Sequence, residues 1–135
     1  SLVQGIKENL IDVIVSDHIP EDEESKRLPF SQAATGAIGI ETLLPLALEM
    51  HHNESLPLNK IIETLTINPA KILQINKGTL AKGSDGDICV LDLDAPWMVE
   101  AEKLKSKSKN TAIEGRKLQG KILMTFLNGE LVFNQ

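Results

Sequence analysis

A short apolar run that ends on an acid constrains this chain more than any other feature. Residues 12–17 read Asp-Val-Ile-Val-Ser-Asp, so three β-branched apolar residues lead almost directly to Asp17. Runs of this kind, apolar on both faces, are typical of parallel strands buried between helices. The run predicts one buried strand, with the carboxylate of Asp17 at the carboxyl end of that strand. In a second interpretation, Asp17 only caps the turn before Pro20 through its side-chain oxygen.

Apolar residues recur at helical spacing through most of the first half of the chain. The spacing predicts helices around residues 43–50, around 61–65 and then around 72–73, with boundaries marked by Pro57 and Pro69. His51 and His52 follow a helix that is expected to end near Met50, and both are predicted to be surface residues.

The pattern changes near residue 76, after which glycines divide the chain into short pieces. Residues 87–93 alternate as a strand does. Two apolar runs flank Asn128 and Gly129, the dipeptide that best tolerates the positive φ angles of a tight turn. We therefore predict a mixed α/β chain that ends in a β-hairpin.

Charge, hydropathy and cysteine content exclude several classes of function. The formal net charge of −5 and the isoelectric point near 5.2 argue against a nucleic-acid partner, which requires clustered Lys and Arg. No stretch approaches the roughly 20 apolar residues of a membrane span. The one cysteine, Cys89, lies in an apolar run and is predicted to be a buried thiol. A cytoplasmic protein is expected.

Several motifs that follow the apolar run resemble those of one family. They are Ser-Asp-His-x-Pro at residues 16–20, Lys-Arg-Leu-Pro-Phe at 26–30, Gly-x-x-Gly-x-Glu-Thr at 36–42, Asn-Pro-Ala-Lys-Ile-Leu at 68–73, Lys-Gly-Thr-Leu-x-x-Gly-Ser-Asp-Gly-Asp at 77–87, and Ser-Lys-Ser-Lys-Asn-Thr at 106–111. In order and spacing they resemble the carboxyl-terminal motifs of dihydroorotases, in the cyclic amidohydrolase family.

The resemblance implies the carboxyl-terminal part of a (β/α)8 amidohydrolase barrel, followed by strands of a small β-sandwich. The last barrel strand and its helices would occupy residues 1–75, and the sandwich strands residues 76–135. A complete barrel needs roughly 250 residues, so this chain of 135 residues is expected to be a fragment. Without its neighbouring strands it should self-associate or leave Ile14 and Val15 poorly protected.

The resemblance also implies a reaction, the reversible hydrolysis of dihydroorotate to N-carbamoyl-L-aspartate in pyrimidine biosynthesis. In such enzymes one or two zinc ions lie in the barrel mouth, and an aspartate after the last strand binds metal and moves a proton. Asp17 matches that aspartate, and by position Thr35 and Gly36 would offer main-chain groups to the substrate. The other metal ligands of the family are not in this sequence. Zinc is therefore expected in the full-length parent, with no bound zinc and no activity in the fragment.

One position departs from the family pattern. Many dihydroorotases carry a substrate-contacting His four residues beyond the aspartate, where this chain has Glu21. A carboxylate repels an anionic substrate unless it is protonated or turned away. Either Lys26 or Arg27 replaces the histidine, or the site is altered or silent. The acidic residues 21–24 also fit a solvated loop tip, and His18 fits both the family pattern and a role in orienting the loop.

Three functions are compatible with the resemblance. The first is an active dihydroorotase that acts on small-molecule dihydroorotate and forms a homo-oligomer. The second is a non-catalytic dihydroorotase-like subunit that scaffolds an aspartate transcarbamoylase, which Glu21 favours. The third is a related cyclic amidase such as an allantoinase, hydantoinase or dihydropyrimidinase. Residues 26–30 and 36–42 resemble dihydroorotases more closely.

Overall fold

The computed structural model describes residues 1–135 as five helices followed by one antiparallel sheet. The helices are α1 (Leu2–Lys7), α2 (Glu23–Lys26), α3 (Leu43–His52), α4 (Leu58–Leu65) and α5 (Ile67–Ile72). The strands are β1 (Ile88–Met98), β2 (Lys117–Leu127) and β3 (Glu130–Asn134), paired in the order β1-β2-β3. The mixed α/β class is confirmed, whereas the assignment of these elements to part of a (β/α)8 barrel and to a small β-sandwich stays a prediction. None of the helices combines the length and the apolar character needed to cross a membrane.

Helix α3 confirms the first predicted helix but continues two residues further. His51 and His52 form its last turn and are half-buried, so their prediction as surface residues was wrong. The Nε2 atom of His52 is buried without a hydrogen-bond partner. Apolar spacing placed the end of the helix at Met50 because a polar last turn gives no signal in that pattern.

The residues predicted to form a buried strand, 12–17, belong to no sheet. The nearest strand-like pairing is an isolated parallel bridge between His18 and Ala37. A parallel strand is stable only beside a neighbour of the same direction, and β1 to β3 pair only with one another. Residues 12–17 therefore form no strand within this chain, and their assignment as a strand of the barrel stays a prediction.

Residues 12–17 are held by single hydrogen bonds and side-chain contacts instead of by the repeated hydrogen bonds of a sheet. The Ile14 N–H donates to the carbonyl of Thr64 (3.2 Å), and the side-chain amide of Asn68 donates to the carbonyl of Asp12 (2.9 Å). Ile14 packs half-buried beside the helices, whereas Val15 is 70% exposed. The expectation of poor protection is confirmed for Val15.

The carboxyl-terminal hairpin is present as predicted. Leu127 of β2 lies opposite Glu130 of β3, and the turn residues Asn128 and Gly129 have φ angles of 52° and 82°. Two positive φ angles in succession define the type I′ turn, whose twist matches that of the flanking strands.

Strand β1 is longer than the predicted residues 87–93. It continues through Pro96, which is accommodated where the pairing with β2 shifts register between Asp92 and Pro96. Cys89 on this strand is exposed, so its prediction as a buried thiol was wrong. An apolar run indicates a strand but not whether a second layer covers its faces.

Helix α3 lies between two apolar clusters. The first contains Ile6, Ala47, Leu56 and Ile61, and the second contains Ile38, Val99, Leu104 and Leu118. The second cluster joins residues before and after position 76, and the division into two domains there stays a prediction. Gly120 of β2 lets the sheet approach α3, because a Cβ on Gly120 would lie 2.5 Å from Leu48 Cδ1.

A charged cluster fastens the segment before β1 to the hairpin turn. Lys77 Nζ lies 2.7 Å from Asp85 Oδ2 and 2.6 Å from Asp87 Oδ2, and Asp87 Oδ1 accepts the Asn128 N–H (2.8 Å). The Asn128 N–H and then Lys77 lower the pKa of Asp87, while Asp85 and Asp87 raise the pKa of Lys77.

We expect the Asp87→Asn variant to lose part of the acid sensitivity of folding. A lowered folded-state pKa means that Asp87 contributes stability above its unfolded pKa of about 3.9, and that this stability is lost as pH falls through the folded value. The raised pKa of Lys77 matters at alkaline pH, because the stability that Lys77 contributes is lost only as pH rises through its folded-state pKa. Thermal unfolding midpoints between neutral pH and pH 3 should fall less steeply in Asp87→Asn than in wild type. Asp94→Asn, at an exposed position of β1, should retain the wild-type slope; equal slopes in all three proteins would contradict the assignment.

Candidate active site

Asp17 lies at the rim of a cavity in a left-handed backbone conformation. Its φ angle is 44°, in a region that Asp and Asn tolerate better than most residues. The side chain is exposed and makes no hydrogen bond within the chain. The bond required for Asp17 to cap the following turn is therefore absent, and its carboxylate remains available to a ligand.

The cavity beside Asp17 is assembled from segments that are distant in sequence. It is lined by residues 14–17, by residues 36–39, by one side of α3, and by Ala112 and Ile113. Two residues predicted for the site, Asp17 and Gly36, share this cavity. Thr35 precedes Gly36 and is exposed, whereas Glu21 lines a separate, polar cleft.

His18 fixes the loop that faces Asp17. Its Nδ1 atom accepts the N–H of Gly39 (3.0 Å) and that of Ile40 (3.3 Å). A ring nitrogen that accepts from backbone N–H groups carries no proton, so the proton of the neutral imidazole lies on Nε2. The geometry supports the interpretation in which His18 orients the loop.

Gly36 occupies a position where only glycine fits. Its φ angle is 134°, and a Cβ there would lie 2.7 Å from Ile19 Cγ2 and 2.8 Å from the Ile19 carbonyl oxygen. The Ile19 N–H in turn donates to the carbonyl of Ala37 (3.0 Å). Close contact between the two chain segments thus depends on the absence of a side chain at Gly36.

Both cations considered as replacements for the missing histidine already have partners. Lys26 Nζ donates to the carbonyl oxygens of Ala34 (2.8 Å) and Gly36 (3.0 Å). Arg27 forms an ion pair with Glu23 one turn earlier on α2. Residues 21–24 were interpreted as a solvated loop tip, whereas residues 23–26 form a helical turn that is capped by the Asp22 carboxylate. That contact with Ser25 lowers the pKa of Asp22.

The segment 105–111, which contains the Ser-Lys-Ser-Lys-Asn-Thr motif, packs against this loop. Asn110 Nδ2 donates to the Gly36 carbonyl (3.2 Å), and the Asn110 carbonyl accepts the Ile38 N–H (3.2 Å). Ser108 Oγ donates to the carbonyl of Glu21. Sequence reasoning recognised this motif but missed its role, because contacts across more than 70 residues leave no local pattern.

Glu41 anchors the beginning of the same segment. Its carboxylate accepts the N–H of Lys105 (2.8 and 3.0 Å) and that of Ser106 (3.2 Å). Two adjacent backbone N–H groups therefore bind one carboxylate, as they do in an anion-binding turn. Here the anion is a side chain of the same protein. Residues 36–42 and 105–111 therefore form one connected unit.

Asp17 is the residue of this cavity best suited to a metal ion. No group of three or more His, Cys, Asp or Glu side chains is arranged to hold a metal in residues 1–135. The unpaired, exposed carboxylate of Asp17 nevertheless fits the role of a single oxygen ligand, since carboxylate oxygen is a common zinc donor.

Comparison with known proteins places these features in a family. The model of the amidohydrolase family matches residues 1–132. A dihydroorotase of Ehrlichia chaffeensis is 41% identical over 133 residues, which cover 98% of this chain and 30% of that protein. A dihydroorotase of Acetivibrio thermocellus is 39% identical and is covered to 32%. The chain thus spans about a third of the length of these relatives.

Solved structures agree in fold. The L-hydantoinase (dihydropyrimidinase) of Arthrobacter aurescens matches with a TM-score of 0.90 at 33% identity, over 98% of this chain and 31% of the hydantoinase. The dihydropyrimidinase of Brevibacillus agri matches with a TM-score of 0.93 at 24% identity, over 98% of this chain and 30% of its own. The second match, at this identity, concerns the fold alone.

Proposed function

Because the chain belongs to the amidohydrolase family, we propose that it supplies the proton-transferring aspartate, Asp17, to the active site of a dihydroorotase. The observation that carries the proposal is the free carboxylate of Asp17 at the rim of a cavity that it shares with Gly36. Dihydroorotases from several bacteria, about 40% identical over nearly the whole chain, support the substrate class.

The proposed reaction adds water across one ring amide of dihydroorotate and yields N-carbamoyl-L-aspartate. As the water oxygen bonds to the ring carbonyl carbon, Asp17 takes a proton from the water, and it returns the proton to the ring nitrogen that leaves. Zinc, when bound in the complete protein with Asp17 as one ligand, would polarise the carbonyl and lower the pKa of the water. A carboxylate suits the transfer because it is unprotonated at neutral pH and can accept and return one proton in each turnover.

Main-chain donors are proposed to hold the substrate. The N–H groups of Thr35 and Gly36 donate to no group within the chain, and Gly36 lines the cavity of Asp17. Backbone N–H groups bind carboxylates well because they are fixed in direction and need no counter-ion of their own. We propose that these two groups receive the carboxylate of dihydroorotate.

Glu21 is compatible with an active site in this arrangement. It lines the polar cleft with Lys26, outside the cavity that contains Asp17. This placement supports a Glu21 side chain that is turned away from the substrate anion, which removes the repulsion expected of a carboxylate. Direct contact between Glu21 and substrate is the competing proposal, and it requires a protonated Glu21.

We also propose a cellular location and an oligomeric state for the protein. A cytoplasmic homo-oligomer fits the acidic composition and the large apolar side chains left exposed on β2 and β3. Association with an aspartate transcarbamoylase belongs to the non-catalytic alternative.

The test is a substrate panel, applied to the complete polypeptide that carries these residues. With zinc present, kcat/KM for dihydroorotate should exceed that for dihydrouracil, allantoin and a hydantoin by at least about tenfold, because only dihydroorotate presents a ring carboxylate to the main-chain donors. A higher kcat/KM for the hydantoin would favour the second candidate function, which the 33% identity to an L-hydantoinase supports. The absence of turnover for every substrate, with and without added zinc, would favour the non-catalytic subunit.

A further inference from the structure

We propose that Lys26 supplies positive charge to the substrate carboxylate indirectly, through the peptide group that joins Ala34 to Thr35, whose N–H is one of the two proposed donors. This inference rests on the proposed function and adds to it a positioning residue. Lys26 lies behind the loop that binds substrate, and its ammonium group acts through the loop without touching the substrate.

The contacts of Lys26 are directed at the backbone of this loop. Its Nζ donates to the carbonyls of Ala34 and Gly36, two residues apart, at 2.8 and 3.0 Å. The Ala34 N–H donates to the carbonyl of Ser25 (3.1 Å), the residue before Lys26 on α2. Asn110 Nδ2 takes up the remaining acceptor position of the Gly36 carbonyl (3.2 Å). The peptide groups that join Ala34 to Thr35 and Gly36 to Ala37 are thus both fixed. The peptide group that joins Thr35 to Gly36 lies between them and is held at both ends.

The loop forms a wall between two clefts. Gly36 and Ala37 line the apolar cavity that contains Asp17. Lys26 and Asn110 line the polar cleft on another side of the same loop. The cation and the proposed proton-transfer group therefore lie in different compartments, with the peptide backbone between them.

Peptide geometry determines what the cation can do across this wall. Every peptide bond in the chain is trans, so the N–H of each peptide points opposite to its carbonyl. The N–H of Thr35 therefore points away from Lys26. A charged donor at a carbonyl oxygen polarises the peptide and strengthens its N–H as a donor. The loop can in this way present the charge of Lys26 to an anion on its far side.

This arrangement also bears on the family histidine that is absent here. At the position of that histidine the chain carries an acid, Glu21, which cannot compensate the charge of a substrate anion. A cation held against the backbone compensates the anion without entering the cavity. A purely mechanical role is the alternative, in which Lys26 serves only to hold the loop in shape.

Three substitutions of Lys26 separate charge from shape in the complete polypeptide. Lys26→Met removes the charge and the donors, Lys26→Gln keeps donors without charge, and Lys26→Arg keeps both. Lys107→Met is the matched control, because Lys107 lines the same cleft and makes no hydrogen bond. Steady-state rates with dihydroorotate give KM and kcat separately, and KM does not depend on the fraction of enzyme that is folded.

We expect KM to rise about tenfold in both Lys26→Met and Lys26→Gln, as for loss of a charge-assisted hydrogen bond, while kcat changes by less than about threefold. Lys26→Arg should restore KM to near the wild-type value, and Lys107→Met should not alter it. A wild-type KM in Lys26→Gln would overturn the charge role in favour of the mechanical one. Equal increases in KM in Lys26→Gln and Lys26→Arg would overturn it as well. A wild-type protein inactive on dihydroorotate would instead overturn the proposed function itself, and the inference with it.

Discussion

Under the proposed function, the Asp17→Asn variant of the complete polypeptide is expected to hydrolyse dihydroorotate about 1000-fold more slowly than wild type, because the amide cannot accept the proton that the reaction releases. The substitution preserves the size of the side chain, and Asp17 makes no hydrogen bond whose loss would disturb the loop. Its effect should appear in kcat, with little change in the thermal unfolding midpoint.

Asp12 provides the matched control for this experiment. It lies at the other end of the same segment and is exposed, and only its main-chain carbonyl is used, by Asn68. Asp12→Asn should therefore retain the wild-type kcat. An Asp17→Asn variant that worked at a rate close to that of Asp12→Asn would remove Asp17 from the mechanism.

Under the same proposal, Gly36→Ala in the complete polypeptide should lower kcat/KM for dihydroorotate by about 100-fold, the loss typical of a displacement of about 1 Å in a reacting group. A Cβ on Gly36 would lie 2.7 Å from Ile19 Cγ2 and 2.8 Å from the Ile19 carbonyl, so one of the two segments must move. Because Gly36 shares its cavity with Asp17, that movement changes the distance between donor groups and base. Steady-state kinetics measure the loss of kcat/KM, and the thermal unfolding midpoint separately measures the loss of stability.

A second glycine separates backbone strain from steric conflict. Gly83 also has a positive φ angle, 90°, but a Cβ there would meet nothing within 4 Å. Gly83→Ala should therefore lower stability by about 1 kcal/mol, the backbone cost alone, and leave kcat/KM unchanged. Equal losses of kcat/KM in the two variants would show that the contact with Ile19 is not what matters at Gly36.

Features specified by neighbouring residues could be predicted from the sequence. The hairpin at Asn128 and Gly129 formed as expected, since the turn type depends on the φ preferences of just those two residues. Helix α3 was placed correctly at its start, where apolar spacing carries the signal. Its end was misplaced because His51 and His52 contribute to the helix without extending the apolar pattern.

Features that depend on distant residues could not be predicted in the same way. Whether Cys89 is buried depends on a second layer over β1, about which the composition of the strand says nothing. The run 12–17 has the composition of a buried strand, but strand formation also needs neighbours of the same direction. Asp17 and Gly36 could be named as partners only through the family resemblance, and the contacts of Lys26 with the loop carbonyls were not anticipated at all.

The hydrogen bond from Asn110 to Gly36 spans 74 positions of the chain, and this separation dictates an order of events during synthesis. While the ribosome is still adding the residues between them, the loop has no Asn110 to fix it, and closing so long a loop carries an entropic cost. The loop should reach its final conformation only after residue 110 has left the ribosome and the side chains of the second apolar cluster have packed together. Under the proposed function, the loop would present the N–H groups of Thr35 and Gly36 to a substrate only after its contact with Asn110 has formed.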